Sequence, residues 1–210
     1  MIRHFFQNTR KPQGFLGRLM LRSMNGGHTP LSNWGLSLIH PSPDARVLDI
    51  GCGGGANVAR LMKLCPQGFV DGIDYSAESV AFSRKKNAGS LGKRCDIRQG
   101  DAGVLPYADG LFDLATAFET VYFWPDLNKA FGEILRVLKP GGQFLIICEA
   151  DDPTDTTWTG VIDGMTVYSG DDLKVRLERV GFTSAVLSRH KKGWIGLLAD
   201  KSVTRGKQYG

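Results

Sequence analysis

The chain has 210 residues, 42% of them hydrophobic, which suffices for one substantial core but not for a nucleotide domain followed by a separate catalytic domain. No apolar run reaches the length of a membrane span, and the arginine-bearing start lacks the apolar core of a signal peptide. We therefore expect a cytoplasmic enzyme domain, and the length counts against a dehydrogenase. The four cysteines show no CxxC or metal-ligand spacing and are expected to be reduced.

The net charge of +5 lies in the N-terminal extension. Residues 1–46 hold six basic side chains and one acidic side chain, whereas the remainder of the chain is balanced, with 20 of each. Such a start fits a transit peptide, a nucleic-acid patch, a membrane-surface helix or the solvated face of a covering helix. We predict that residues 1–45 form a helical lid. Large apolar side chains form a stripe along it: Phe15, Leu16, Leu19, Met20 and Met24.

Residues 46–55 predict a buried strand that runs into a glycine-rich loop. Gly51 permits a tight turn, and Gly53 and Gly55 allow a ligand to approach backbone from which any Cβ would exclude it. Asp49 lies inside the strand, where a carboxylate is costly unless it is paired. We expect Asp49 to hold loop amides or a cationic group, with a purely local role in the loop as the alternative.

The next predicted strand, Phe69 to Asp74, ends on a carboxylate that suits the two hydroxyls of a ribose. Ser76 is the predicted cap of the helix that follows, and capping ahead of Ser76 is the alternative role for Asp74. Gly51-x-Gly53-x-x-Ala56 also satisfies a dinucleotide-binding pattern, so the glycines alone leave the cofactor open.

Later segments continue the alternation of strands and helices. A third strand, Cys95 to Gln99, precedes Gly100-Asp101-Ala102, where Asp101 is either a ligand contact or a turn residue. The next predicted elements are a strand at 112–118 and a helix that Pro125-Asp126 opens and Lys139-Pro-Gly-Gly142 ends. A strand at 142–148, a helix ended by Gly181, and strands at 184–191 and 193–201 follow.

This ordered set, from about Arg46 to Ala150, resembles the class I S-adenosylmethionine-dependent methyltransferases, and within them the small-molecule, quinone-biosynthesis-like subgroup. The resemblance implies an α/β fold: a Rossmann-like, doubly wound, mostly parallel seven-stranded sheet with an antiparallel last strand and helices on both faces. Residues 46–210 are then the methyltransferase domain, with residues 151–168 as a cover segment. S-adenosyl-L-methionine is the implied cofactor, and the implied cofactor-binding residues are Asp49, Gly51, Cys52, Gly53, Asp74, Tyr75, Asp101, Ala102 and Glu119.

The expected reaction is an in-line methyl transfer to a small organic acceptor, which requires alignment but neither a metal nor a covalent intermediate. Relatives often carry histidine where this chain has Tyr122-Phe123, so Tyr122 and His28 are the candidate catalytic residues. Trp34, Tyr122 and Trp158 are the predicted acceptor contacts. An RNA or protein methyltransferase and a non-catalytic cofactor-binding subunit are the alternatives, although nucleic acid is not the expected partner. The oligomeric state stays open.

Overall fold

Seven strands form one sheet in the computed structural model, which describes residues 28–157, 159–160 and 162–203. The strands are β1 (Arg46–Ile50), β2 (Phe69–Asp74), β3 (Cys95–Gln99), β4 (Phe112–Phe118), β5 (Leu138–Cys148), β6 (Phe182–Arg189) and β7 (Ile195–Lys201). Their order is β3-β2-β1-β4-β5-β7-β6; β1 to β5 pair in parallel, and β7 is antiparallel to both neighbours. The predicted sheet is confirmed.

Five α-helices occur in the described part of the chain: α1 (Thr29–Leu36), α2 (Ala56–Leu64), α3 (Ala77–Lys86), α4 (Leu127–Val137) and α5 (Gly170–Val180). The predicted start signals are confirmed, because Ser76 caps α3 and Asp126 caps α4 through side-chain oxygens that accept backbone N–H groups. Gly181 ends α5 at a φ of 117°. None of the described helices is long and apolar enough to cross a bilayer.

The apolar core lies on both faces of the sheet. Along β5, Leu145 and Ile147 point into a cluster with α1 and α2, whereas Phe144 and Ile146 point into a larger cluster with α4 and α5. All four cysteines are free and buried in these clusters or beside them, as their lack of metal-ligand spacing predicted. Helices therefore cover both faces, as expected for a doubly wound sheet.

Three predicted strand starts differ from the structure, those of β5, β6 and β7, the last of which begins at Ile195 and not at Gly193. β5 begins at Leu138 and not at Gly142, because Phe112 pairs with Leu138 across a register shift that accommodates the Lys-Pro-Gly-Gly segment. β6 begins at Phe182 and ends at Arg189, two residues before the predicted bounds at each end. A second register shift, between Thr183 and Val186, interrupts the alternation that periodicity relies on.

The described part of the N-terminal extension packs onto the domain. A Cβ added to Gly35 of α1 would lie 2.6 Å from Ile147 and 3.0 Å from Phe118, so glycine allows the helix to approach the ends of β4 and β5. The apolar stripe between Phe15 and Met24 lies outside the described residues, and the lid stays a prediction. In the cover segment, Val167 is buried and Thr166 N–H donates to the Tyr122 carbonyl at 2.9 Å.

Candidate active site

The glycine loop between β1 and α2 turns in the left-handed region, with φ of 71° at Gly51, 50° at Gly53 and 74° at Gly55. Cβ atoms at Gly51 and Gly55 would lie 2.1 Å from the hydroxyls of Thr120 and Ser83, respectively. A Cβ at Gly53 would meet only a carbonyl oxygen, at 4.0 Å. The left-handed φ favours glycine at all three positions, and packing also excludes a side chain at the first and last of them. The prediction that Gly55 is open to a ligand is therefore wrong, and of the three only Gly53 presents its backbone to open space.

Asp49 is 1% exposed in β1, and its Oδ1 accepts a hydrogen bond of 2.8 Å from the Thr116 hydroxyl on β4. Its Oδ2 is buried and has no partner among the described residues. Burial is the main cause that raises the pKa of Asp49 to about 7. In this structure a neutral hydroxyl is the hydrogen-bond partner of Asp49 and one carboxylate oxygen is left over, so the pairing of Asp49 with loop amides or a cationic group stays a prediction.

Asp74, at the end of β2, connects the loop to α3. Its Oδ2 accepts Gly53 N–H at 2.9 Å and its Oδ1 accepts Ser76 N–H at 2.8 Å. Burial is the main cause that raises the pKa of Asp74, and these hydrogen bonds oppose it. Each carboxylate oxygen has a further lone pair, so Asp74 is able to accept ribose hydroxyls as well. Tyr75 beside it is 63% exposed.

The other predicted cofactor contacts occupy the same edge of the sheet. Cys52 is buried within the loop, and its N–H donates to the Ile73 carbonyl at 3.0 Å. Asp101 is exposed and its Oδ1 accepts Gly103 N–H at 2.7 Å, as a turn residue does, while Ala102 is buried. Contacts of Asp101 and Ala102 with adenine stay predictions.

A second group of side chains, His28, Glu119 and Glu149, lies where β4 and β5 end. Each contributes one potential ligand atom, and these three atoms lie within 4.8 Å of one another. The distance from His28 Nε2 to Glu149 Oε2 is 3.9 Å. Burial lowers the pKa of His28, which the Glu149 carboxylate partly offsets, so the imidazole is neutral at pH 7. Burial also raises the pKa of Glu119 to about 8.

Tyr122 contacts this group through its hydroxyl. It is 3% exposed, its hydroxyl accepts Ala150 N–H at 3.0 Å, and the same oxygen lies 3.3 Å from Glu119 Oε1. Glu119 Oε1 also accepts Glu149 N–H. In this arrangement Tyr122 orients Glu119, and a direct contact of its ring with the acceptor stays a prediction.

Trp34 has packing partners that its local sequence does not show. Its ring centroid lies 5.3 Å from that of His190 and 6.2 Å from that of Trp194, both in the connection between β6 and β7. The residue therefore has a structural reason to be aromatic, and its acceptor contact is untested. Trp158 lies outside the described residues.

A cleft of about 320 Å³ adjoins the second group and is lined by Glu149, Ala150, Asp151, Asp152, Asp155, Val167 and Gly193. Arg189 pairs with Asp151.

The sequence analysis did not predict the contact of Glu149 with His28 or that of Thr116 with Asp49. A threonine inside the apolar strand β4 was the available signal for the second pair, whereas nothing local indicates the first.

One family model and several known proteins match part of the chain. Residues 48–146 match the family model described as a methyltransferase domain. The chain is 35% identical over 130 residues to a demethylmenaquinone methyltransferase of Lactiplantibacillus plantarum, covering 61% of this chain and 54% of that protein. It is 29% identical over 156 residues to an arsenite methyltransferase of Halobacterium salinarum, covering 70% of this chain and 39% of that one. The chain thus spans about half or less of these relatives.

Solved structures show the same fold. A SAM-dependent methyltransferase from Aquifex aeolicus superposes with a TM-score of 0.70 at 19% identity, covering 95% of this chain and 98% of that one. A chain of the complex between the Haloferax volcanii Trm112 methyltransferase activator and a methyltransferase gives 0.79 at 19% identity, covering 87% and 94%. Residues 48–146 therefore match a methyltransferase domain, and the described part of the chain has the fold of these solved structures.

Proposed function

We propose that this chain is an S-adenosylmethionine-dependent methyltransferase that acts on a small organic acceptor. The open backbone at Gly53 carries the proposal, because it lies beside two carboxylates on the neighbouring strands β1 and β2. Asp49 leaves one buried oxygen without a partner, and Asp74 anchors the loop at Gly53. Ligands of open α/β sheets bind at this carboxyl edge.

The residues present fit this cofactor. The unpartnered Oδ2 of Asp49 is an acceptor for the ammonium group of the methionine part. The first N–H groups of α2 and its positive end suit the methionine carboxylate. Asp74 would hold the ribose, and a side chain at Gly53 would fill the space that the cofactor needs.

The bound cofactor supplies an electrophilic methyl group on a sulfonium. The chain's residues then have two tasks, which are to align the acceptor and to accept its proton. Alignment can contribute on the order of 7–11 kcal/mol, and a general base typically adds about 10²–10⁴-fold. Neutral His28 has a lone pair for that proton, and Tyr122 holds Glu119 in place beside it.

A small acceptor is favoured over a nucleic acid. Four carboxylates, those of Glu149, Asp151, Asp152 and Asp155, line the cleft, and such a lining repels phosphate groups. The names of the two sequence relatives, demethylmenaquinone methyltransferase and arsenite methyltransferase, also concern small molecules.

Turnover tests the proposal. The full chain is incubated with methyl-labelled S-adenosylmethionine and a small-molecule metabolite extract, and release of S-adenosylhomocysteine is measured. We expect label in an extract component, with loss of the signal in Gly53→Ala and retention in Gly110→Ala, a glycine with a similarly left-handed φ of 62° whose Cβ would contact nothing within 4 Å. Cofactor binding without turnover in any extract would favour the non-catalytic subunit.

A further inference from the structure

Three elements bring one histidine and two glutamates to a single point. His28 immediately precedes α1, Glu119 follows β4 and Glu149 follows β5. Their nearest ligand atoms lie within 4.8 Å of one another. Because Gly35 lets α1 approach Ile147 closely, the start of that helix is fixed above the ends of these two strands.

The ligand atoms are oriented by groups behind them. Glu119 Oε1 accepts Glu149 N–H and lies 3.3 Å from the Tyr122 hydroxyl, which itself accepts Ala150 N–H. Hydrogen bonds of this kind fix the rotamer of a metal-ligating side chain and are part of most metal sites.

The negative charge at this point has no basic counterpart. Among the described residues, no lysine or arginine forms an ion pair with Glu119 or Glu149, although Arg189 pairs with Asp151 nearby. Residues 140–173 contain seven carboxylates and neither lysine nor arginine, in a chain whose net charge is +5. Two converging carboxyl groups with no lysine or arginine partner in the described part of the chain favour a cationic ligand.

We infer that His28, Glu119 and Glu149 form a binding site for a divalent cation. The ligand atoms are one imidazole nitrogen and two carboxyl oxygens. A mixed nitrogen and oxygen set suits Mn²⁺, Fe²⁺ or Zn²⁺, whereas Mg²⁺ and Ca²⁺ favour oxygen ligands alone. The sequence shows no metal-ligand spacing, because the three ligands come from segments 30 and 91 residues apart.

Three protein ligands leave coordination positions open. An imidazole nitrogen bound to the cation cannot also accept a proton, so the base role of His28 applies to the cation-free protein. If the proposed function holds, an oxygen atom of the acceptor is able to fill one open position next to the methyl donor. This role rests on the proposed function, whereas cation binding does not. Binding of the cation alone, measured without cofactor or acceptor, therefore separates failure of one proposal from failure of the other.

Mn²⁺ is the probe. EDTA-treated full-length protein is titrated with MnCl₂, and free Mn²⁺ is followed by electron paramagnetic resonance. We expect one ion per chain, and His28→Ala and Glu149→Gln should each weaken binding at least about tenfold. His40→Ala, an exposed histidine outside the group, and Asp152→Asn, a carboxylate of the same cleft, serve as matched controls that bind as the wild type does.

Electron spin-echo modulation gives a readout that electrostatic attraction alone does not produce. Bound Mn²⁺ should show coupling to an imidazole ¹⁴N that disappears in His28→Ala. No binding by the wild type at millimolar Mn²⁺, unchanged binding in His28→Ala and Glu149→Gln, or equal weakening in Asp152→Asn would each overturn the site. Melting curves verify folding, and Glu149→Gln, at a side chain 51% exposed, carries the test if His28→Ala does not fold.

Discussion

Replacing Asp49 by asparagine should stabilise the protein at alkaline pH while it weakens cofactor binding. Asparagine keeps a carbonyl oxygen for the Thr116 hydroxyl, which lies 2.8 Å from Asp49 Oδ1. It also removes a charge from a side chain that is 1% exposed and has one unpartnered oxygen among the described residues. A buried carboxylate oxygen without a partner opposes folding, so the presence of Asp49 in β1 indicates a ligand-binding role.

The pKa of Asp49 sets the size of the effect. Folding raises that pKa from an ordinary 3.8 to about 7, so the folded state keeps a proton that the unfolded state releases between these values. Stability must then fall as pH rises through this window and level off above pH 7. At about 1.4 kcal/mol per pH unit, the wild type should lose about 2–3 kcal/mol from this group between pH 5 and pH 8.

Urea unfolding at pH 5, 6, 7 and 8 measures the difference in free energy of unfolding between Asp49→Asn and the wild type. We expect the variant to gain about 2–3 kcal/mol relative to the wild type across this range. Asp101→Asn, at an exposed carboxylate, is the matched control and should show no such trend. A difference between Asp49→Asn and the wild type that is the same at all four pH values would refute the reasoning.

Three further substitutions test the site. Asp74→Ala removes the acceptor for Gly53 N–H and for the ribose; because each bond to a charged acceptor contributes about 1.5–3 kcal/mol, the dissociation constant of S-adenosylhomocysteine should rise at least tenfold, and an unchanged calorimetric value would remove Asp74 from the site. Gly51→Ala places a Cβ 2.1 Å from the Thr120 hydroxyl at a φ of 71° and should destabilise the fold by about 1–3 kcal/mol in urea unfolding, whereas wild-type stability would show that the loop can shift. In EDTA-treated enzyme, His28→Ala should lower the maximal rate by less than about 10²-fold; a larger loss, with disappearance of a pH–rate limb below the ordinary histidine pKa, would identify an indispensable base.

The strands and helix caps were readable from the sequence because their signals are local. Mostly apolar stretches next to a glycine define β1 and β2. The seven residues of β4 are also mostly apolar, and the strand has the predicted bounds. Capping needs only three residues, so Ser76 and Asp126 were found directly. β6 was displaced because Ser184, at a φ of 53°, lies in a register shift that periodicity does not encode.

The partners of the site residues were not readable, because they are distant in the chain. Thr116 is 67 residues from Asp49, and Trp194 is far from Trp34 in sequence although their rings meet in the fold. The glycine pattern predicted a ligand loop, yet only the packing distinguishes Gly53, which faces open space, from Gly51, which the fold requires. Sequence therefore predicted which residues line the edge, and packing decides what each of them can do.

Calorimetric titration with S-adenosylhomocysteine tests the cofactor site most directly. We expect binding in the micromolar range, roughly −7 to −9 kcal/mol, with no measurable heat from NAD. Gly53→Ala should abolish the binding while Gly110→Ala retains it, because both glycines have a left-handed φ, 50° and 62°, and only the first substitution adds a Cβ in the space assigned to the cofactor. Measurable NAD binding, or equal affinity of Gly53→Ala and the wild type for S-adenosylhomocysteine, would contradict the account.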